Sequence, residues 1–194
     1  ADSAQQAYER MIEIVSLVED RLTKGRSPVF AAAPIPRAIS PLAQVAPVVR
    51  GACTLSNGTG FDGKSHFVLD FRTGPEILNY VNGKELGRYS QAGVATPDHT
   101  LRTRNWPLIV PAPAEGHLDE FKRSVSEAVG QFEERCHSYF QRHAGRQERP
   151  LTELDPAPRV VLVPGLGLFG AGRSAKDAAI AADIAESAVE TVTD

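Results

Sequence analysis

The stretch 160-VVLVPGLGLFGAGRSAKDAA-179 decides how the chain is read. A β-branched and aliphatic run, Val160–Val163, meets a Gly165-x-Gly167-x-x-Gly170 spacing. A Ser174-x-x-Asp177 capping signal then opens an Ala-rich helical segment. Two readings compete. A dinucleotide-binding turn would seat a pyrophosphate on the glycines, and it needs an acidic residue about 20 positions on, at the end of a second strand. Only 24 residues follow Gly170, and most of them read as one helix, so no second strand is left to hold the rest of a dinucleotide. The other reading takes Leu166, Leu168 and Phe169 as a strand returning beside Val160–Val163, with Gly170–Gly172 as a loop before the helix cap. The glycines are then a tight strand–strand turn and carry no phosphate, and this is the reading we follow.

Working outward from the hairpin, residues 4–24 place Tyr8, Met11, Ile12, Val15, Val18 and Leu22 at helical spacing, with Gly25 as the C′ residue. Residues 26–40 are rich in Pro and Ala and read as an extended arm. Ser40-Pro41 is an N-cap and N1 pair for a helical segment that Pro47 would kink or end. Residues 56–64, SNGTGFDGK, are turn-dense, and His66–Phe71 reads as a strand. Thr73-Gly-Pro-Glu76 fits a capping box ahead of Ile77, Leu78 and Val81, with Gly83 as the stop. Residues 94–107 read as polar and irregular, Leu108–Val110 as a short strand, and 144–157 as a charged loop. The clearest helix is 117–143, with Leu118, Phe121, Val125, Val129, Phe132, Cys136 and Phe140 on its core face. The expected organisation is an N-terminal helix and Ala/Pro-rich arm over 1–40, and an α/β domain over 41–194.

The bulk properties narrow the function classes. At 42% hydrophobic and 23% charged residues, the chain has enough apolar material for a core. Its net charge of −3, with no basic stripe among aromatics, argues against a nucleic-acid partner. Its apolar runs fall far short of a bilayer span, and the polar N-terminus lacks a signal-peptide core, so no membrane partner is expected. Cys53 and Cys136 form no C-x-x-C, which leaves a reducing cytoplasm as the expected location. The chain starts at Ala1 and stops at Asp194 straight after an Ala-rich helix, so it is expected to be a piece of a longer polypeptide.

The closing unit VVLVPGLGLFGAGRSAKDAAIAADIAESAVETV resembles that of class II aldolase/adducin domains, which end in strand, His-Gly turn, strand and long helix. APVVRG (46–51), PEILNYV (75–81), TPDHTLRT (96–103) and VLVPGLGLF (161–169) are similar to the middle region of bifunctional aldolase/short-chain dehydrogenases. The resemblance covers roughly residues 45–194. It implies a three-layer α/β/α sandwich around a largely antiparallel sheet. It also implies a zinc site on three histidines that polarises an enediolate, with a Glu moving the proton. The residues depart from that pattern. The strand His66–Phe71 contains no His-x-His, and the turn Pro164-Gly165-Leu166-Gly167 supplies no imidazole. The resemblance therefore implies a metal-free domain, with no cofactor in this fragment and with zinc and NAD belonging to the parent's other domains. Its expected partners are the flanking aldolase and dehydrogenase domains of its own chain and further copies in a homo-oligomer. A sugar or sugar phosphate is the expected ligand.

The densest polar cluster is Asp98, His99, Arg102, Thr103 and Arg104. Read as a site, Arg102 and Arg104 fork onto a phosphate while Thr100 or Thr103 donates hydrogen bonds. Read structurally, Asp98 fastens the loop through the arginines and His99 is a hydrogen-bonded turn residue. Three functions follow: an interface domain, a zinc aldolase using His99, Asp98 and His66, or a phosphorylated-ligand module built on this loop. His66 and Asp70 share a strand face but make too few ligands alone. Ser56–Gly60 reads as a turn in preference to a phosphate nest. Cys136 reads as core, His117 and His143 as solvated helix ends, and Trp106 is left open between an interface anchor and a core residue.

Overall fold

The computed structural model describes residues 3–24, 31–55, 63–146 and 151–193. In chain order these form α1 (Ala4–Lys24), α2 (Leu42–Ala52), β1 (Val68–Arg72), α3 (Pro75–Val81), α4 (Leu86–Tyr89) and α5 (Pro97–Thr103). There follow β2 (Leu108–Ile109), α6 (Leu118–Ala144), β3 (Val160–Val163), β4 (Gly167–Gly172) and α7 (Ala175–Thr193). The decisive stretch is a hairpin. β3 and β4 pair antiparallel, with Val160 opposite Gly170 and Val163 opposite Gly167. The strand extends further than expected. Gly170 and Gly172, expected in a loop, are strand residues opposite Asp70 and Val68 of β1. Their lack of side chains serves packing. A Cβ on Gly170 would stand 2.5 Å from the backbone nitrogen of Ala182, and one on Gly172 would stand 2.5 Å from the carbonyl carbon of Asp177. α7 therefore lies directly on β4.

The fold is mixed α/β on a four-stranded sheet of order β1-β4-β3-β2. β1 runs antiparallel to β4, while β2 runs parallel to β3. Side chains alternate along each strand, and the alternation divides the core. Val161, Val163, Phe169 and Ala171 pack with Val45 and Val49 of α2 and Phe121, Val125, Val129 and Phe132 of α6. Val160, Leu162 and Leu168 pack with Ile77, Tyr80 and Val81 of α3, Leu86 and Tyr89 of α4, and Ala182 and Val189 of α7. β3 is buried along its whole length, which explains a continuous β-branched run where a half-exposed strand would alternate.

Several local expectations need correction. The strand expected from His66 begins at Val68, so His66 lies ahead of it and is exposed, while Phe67 is fully buried. Thr73 does not cap α3. Its hydroxyl donates to the carbonyl of Leu166 at 2.9 Å, and Gly74 takes the cap position. Ser40 does not cap α2 either. It is buried, with its N–H donating to Pro113 O and its hydroxyl to Ala114 O. Residues 97–103, expected to be irregular, form α5, with Pro97 in the first turn, where a missing N–H costs little. α2 continues through Pro47.

Residues 31–40 are tied to the body through bridges of Ala32 to Gly83 and Ile39 to Ala114. Gly25, residues 26–30 of the expected arm and residues 56–62 of the expected turn lie outside the described residues. α1 differs from every other long helix, because its side chains from Ala4 to Arg21 are all exposed. Tyr8, Met11, Val15 and Val18 are each more than half exposed. Among the described residues, no helix is long and apolar enough to cross a membrane.

Candidate functional site

Two places can carry function. The first is the β3–β4 turn, where the resemblance puts a metal ligand. Leu166 N–H donates to Val163 O at 3.0 Å, closing the turn. Gly165 N–H donates to the side-chain oxygen of Asn82 at 2.6 Å, and Thr73 holds the Leu166 carbonyl. Gly165 has φ +81°, and a Cβ there would meet Ile39 Cδ1 at 2.7 Å. The turn is thus packed against an isoleucine, and its polar groups are committed to Asn82 and Thr73. No imidazole stands at it. His66 lies near Thr54 at the end of α2, with Nδ1 3.4 Å from the threonine hydroxyl. Asp70 accepts from Arg72 Nε at 2.7 Å. Among the described residues, no three His, Cys, Asp or Glu side chains stand together as a metal site requires. The set His99, Asp98 and His66 is therefore not assembled.

The second place surrounds α5. His99, Thr103 and Arg104 line a cavity of about 230 Å³ together with Tyr80, Tyr89 and Trp106. Its walls are mainly apolar and its far side is α7. The Thr103 hydroxyl donates to His99 O at 3.0 Å, so it serves the helix's own backbone. Tyr89 donates its hydroxyl to Tyr80 O. Burial pushes the Tyr80 and Tyr89 phenols up to about 12, which keeps both neutral at neutral pH.

The two arginines of the cluster are engaged with different carboxylates. Arg102 Nη1 lies 3.5 Å from Asp177 at the start of α7, and both side chains are about half exposed. Arg104 turns inward with φ 67°, a left-handed conformation costing an arginine roughly 1–3 kcal/mol. Arg104 Nη2 reaches Asp155 Oδ1 at 3.1 Å and the Asp155 carbonyl at 2.8 Å. Asp98 sits in the first turn of α5, and the arginines pair with Asp177 and Asp155 in its place.

Sequence reasoning missed the residues that meet Arg104. Asp155 also binds Arg159 Nη2 at 2.8 Å through both oxygens and Arg173 Nη2 at 3.5 Å. The Arg159 guanidinium stacks over Phe67 at 4.4 Å. Burial lowers its pKa most, Asp155 opposes that, and the Arg104 and Arg173 charges lower it further. Among the described residues, Arg104 Nε and Arg159 Nη1 are buried without a hydrogen-bond partner, a deficit costing about 1–3 kcal/mol each. No local pattern announces the cluster, because its members are 51 residues apart or lie in a charged loop that reads as solvated. Nearby, Arg135 covers the Trp106 ring at 3.7 Å and Tyr139 meets it edge-on, so Trp106 is a packed surface aromatic. Cys136 packs half-buried against the core. His117 is exposed beside Glu120, and His143 contacts the Tyr139 ring.

The family model described as "Aldolase class II, second domain" matches residues 40–194. The "Uncharacterized oxidoreductase YuxG" of Bacillus subtilis (strain 168) is 28% identical over 134 residues, covering 69% of this chain. The chain spans only 18% of that relative's length. No solved structure matches the chain.

Proposed function

The chain belongs to the class II aldolase second-domain family, and on that premise we propose that it is a metal-free aldolase-like domain with a structural or interface role. Its parent would be a bifunctional sugar or sugar-phosphate aldolase/short-chain dehydrogenase in the cytoplasm, cleaving the sugar to a small aldehyde and oxidising it with NAD. Zinc and NAD would reside in the parent's other domains. The α/β/α layering of the superfamily would be kept as the scaffold. The observation that carries this reading is the β3–β4 turn. Its glycine faces Ile39, and its amide and carbonyl are held by Asn82 and Thr73. The turn carries no histidine, a side chain at Gly165 would be strained at its positive φ and would have to displace the end of Ile39, and the strand before Thr73 offers no histidine either. Neither zinc nor a dinucleotide fits these residues, so no chemical step is assigned to them. The exposed apolar face of α1 favours an interface role, with flanking domains or a second copy as the cover. The relative named as an oxidoreductase is in keeping with a dehydrogenase partner.

Elemental analysis of the untagged chain, purified with zinc present, tests the reading. The expected result is no stoichiometric zinc and no retro-aldol activity. About one zinc per chain would overturn it and turn attention to His99 and His66. A ligand-binding role for the α5 region is the second reading, favoured by the cavity that His99, Thr103 and Arg104 line.

A further inference from the structure

The first and last helices begin alike. At α7 the Ser174 hydroxyl accepts from Asp177 N–H at 3.1 Å, and Ala178 N–H donates to Ser174 O at 3.0 Å. At α1 the Ser3 hydroxyl accepts from Gln6 N–H at 3.2 Å, and Ala7 N–H donates to Ser3 O at 3.1 Å. Both caps stand on the same sequence, Ser-Ala-x-x-Ala. The match continues without a gap. Laying residues 3–19 on residues 174–190 also brings Ser16, Val18 and Glu19 onto Ser187, Val189 and Glu190. Ser187 and Glu190 are exposed, so those two shared polar positions mark the outer face of the helix. The inner face carries over as well. α7 buries Ala178, Ala181, Ala182, Ala185 and Val189. Their counterparts are Ala7, Arg10, Met11, Ile14 and Val18, all apolar but the arginine. The surroundings differ. α7 lies against β4 and β1, whereas Met11 and Ile14 are 53% and 61% exposed. The family match starts at residue 40 and leaves α1 outside it. The oxidoreductase relative has ample further chain, since only 18% of its length is spanned here.

We propose that α1 is the closing helix of a preceding unit of this same fold in the parent polypeptide, and that its apolar face covers that unit's sheet as α7 covers β4 and β1. The proposal rests on the interface reading of α1 and names its partner. Position by position, the match also gives the chemistry of the covered sheet. Asp183 and Glu186 of α7 pair with Arg72 of β1 at 2.9 Å and 3.5 Å. Ile12 and Val15 stand in their places in α1. A guanidinium facing those two side chains would lose water and gain no partner. The strand equivalent to β1 is therefore apolar where β1 carries Arg72. Met11 and Ile14 replace Ala182 and Ala185, so α1 rides higher over its strands than α7 does. A helix that covers a sheet gains its stability from that packing, which is what the exposed stripe of α1 lacks.

Comparing the 194-residue chain with the polypeptide extended at its N-terminus through the preceding unit tests the proposal. The residues encoded immediately ahead of α1 are expected to form two short apolar runs about a tight turn, as residues 160–172 do ahead of Ser174. Amide exchange along α1 is expected to slow by about a hundredfold or more in the extended polypeptide, to the level of α7. Met11→Asp is expected to release that protection and to lower the unfolding midpoint of the preceding unit, while residues 40–194 keep theirs. Ser16→Asp, on the outer face, is expected to change neither. Exchange along α1 that stays fast in the extended polypeptide, or equal effects of the two variants, would overturn the proposal. So would protection of α1 that rises with the concentration of the 194-residue chain, because a second copy would then be the cover. That last result would leave the interface reading standing. Stoichiometric zinc on the chain would sink the metal-free reading and leave this proposal untouched.

Discussion

At the scale of single residues, the glycines of the opening stretch do two different jobs. Gly165 turns the chain with a positive φ under Ile39, while Gly170 and Gly172 let α7 approach β4. The sequence spacing made the turn legible, because a β-branched run followed by glycines points to a hairpin. It could not reveal the close approach, which depends on a helix that arrives later in the chain. Gly165→Ala is expected to destabilise by about 1–3 kcal/mol, from the left-handed strain and the Ile39 contact together. Gly130→Ala is the counterpart. Gly130 lies inside α6 with nothing within 4 Å of an added Cβ, so the change is expected to stabilise by about 0.5–1 kcal/mol. Urea unfolding of both variants reads the contrast, and equal shifts would contradict it. Asp98, His99, Arg102, Thr103 and Arg104 were visible as a cluster, but helix geometry separates them. Arg102 pairs at the surface with α7, and the left-handed turn at Arg104 sends its side chain under the loop to Asp155.

At the scale of elements, long periodic segments were legible and short ones were not. α1 and α6 repeat their apolar residues over many turns, so their bounds follow from the pattern. α5 has seven residues and one large aliphatic, Leu101, which points to solvent, so no period exists to be read. Ser40 and Thr73 looked like caps because the cap signal is local. Their hydroxyls are taken by carbonyls 74 and 93 residues away, and tertiary partners won. α1 shows the reverse. Its pattern promises burial, yet Tyr8, Met11, Ile12, Val15 and Val18 are 45–58% exposed. Most helical stability in proteins comes from packing an amphipathic face, and α1 lacks that packing. Amide hydrogen exchange on the dilute chain is therefore expected to be fast along α1 and slow along β3 and β4. Adding the partner that covers the apolar stripe should slow α1 selectively. Protection of α1 equal to that of β3, at every protein concentration, would refute the view of α1 as an unpartnered element.

At the scale of the whole molecule, the two sides of the sheet share β3 and so share their fate. Cys53 lies in the core against α2 and α6, while Tyr80 and Tyr89 lie in the core against α7. Burial raises the Cys53 thiol from 9.0 to about 12, against the nearby Arg159 charge, and raises both phenols from 10.0 to about 12. All three are neutral when protonated. Below pH 9 neither the folded nor the unfolded chain ionises them, and their contribution to stability is fully present. Between about pH 9 and 12 the unfolded chain releases protons that the folded chain keeps, so stability falls as pH rises. For the deeply buried Cys53 alone the loss is on the order of a few kcal/mol by pH 12. The urea midpoint is expected to hold at pH 8 and to drop from about pH 9 through this alkaline window. Fluorescence and circular dichroism should report one transition, because β3 lends Val161 and Val163 to one core and Val160 and Leu162 to the other. Cys53→Ala should flatten the part of the drop that begins near pH 9 and leave the later part, which belongs to the tyrosines. A midpoint independent of pH across the window would show that the folded chain releases these protons at the same pH as the unfolded chain. Two separated transitions would show that the helices on each side come away from the sheet independently.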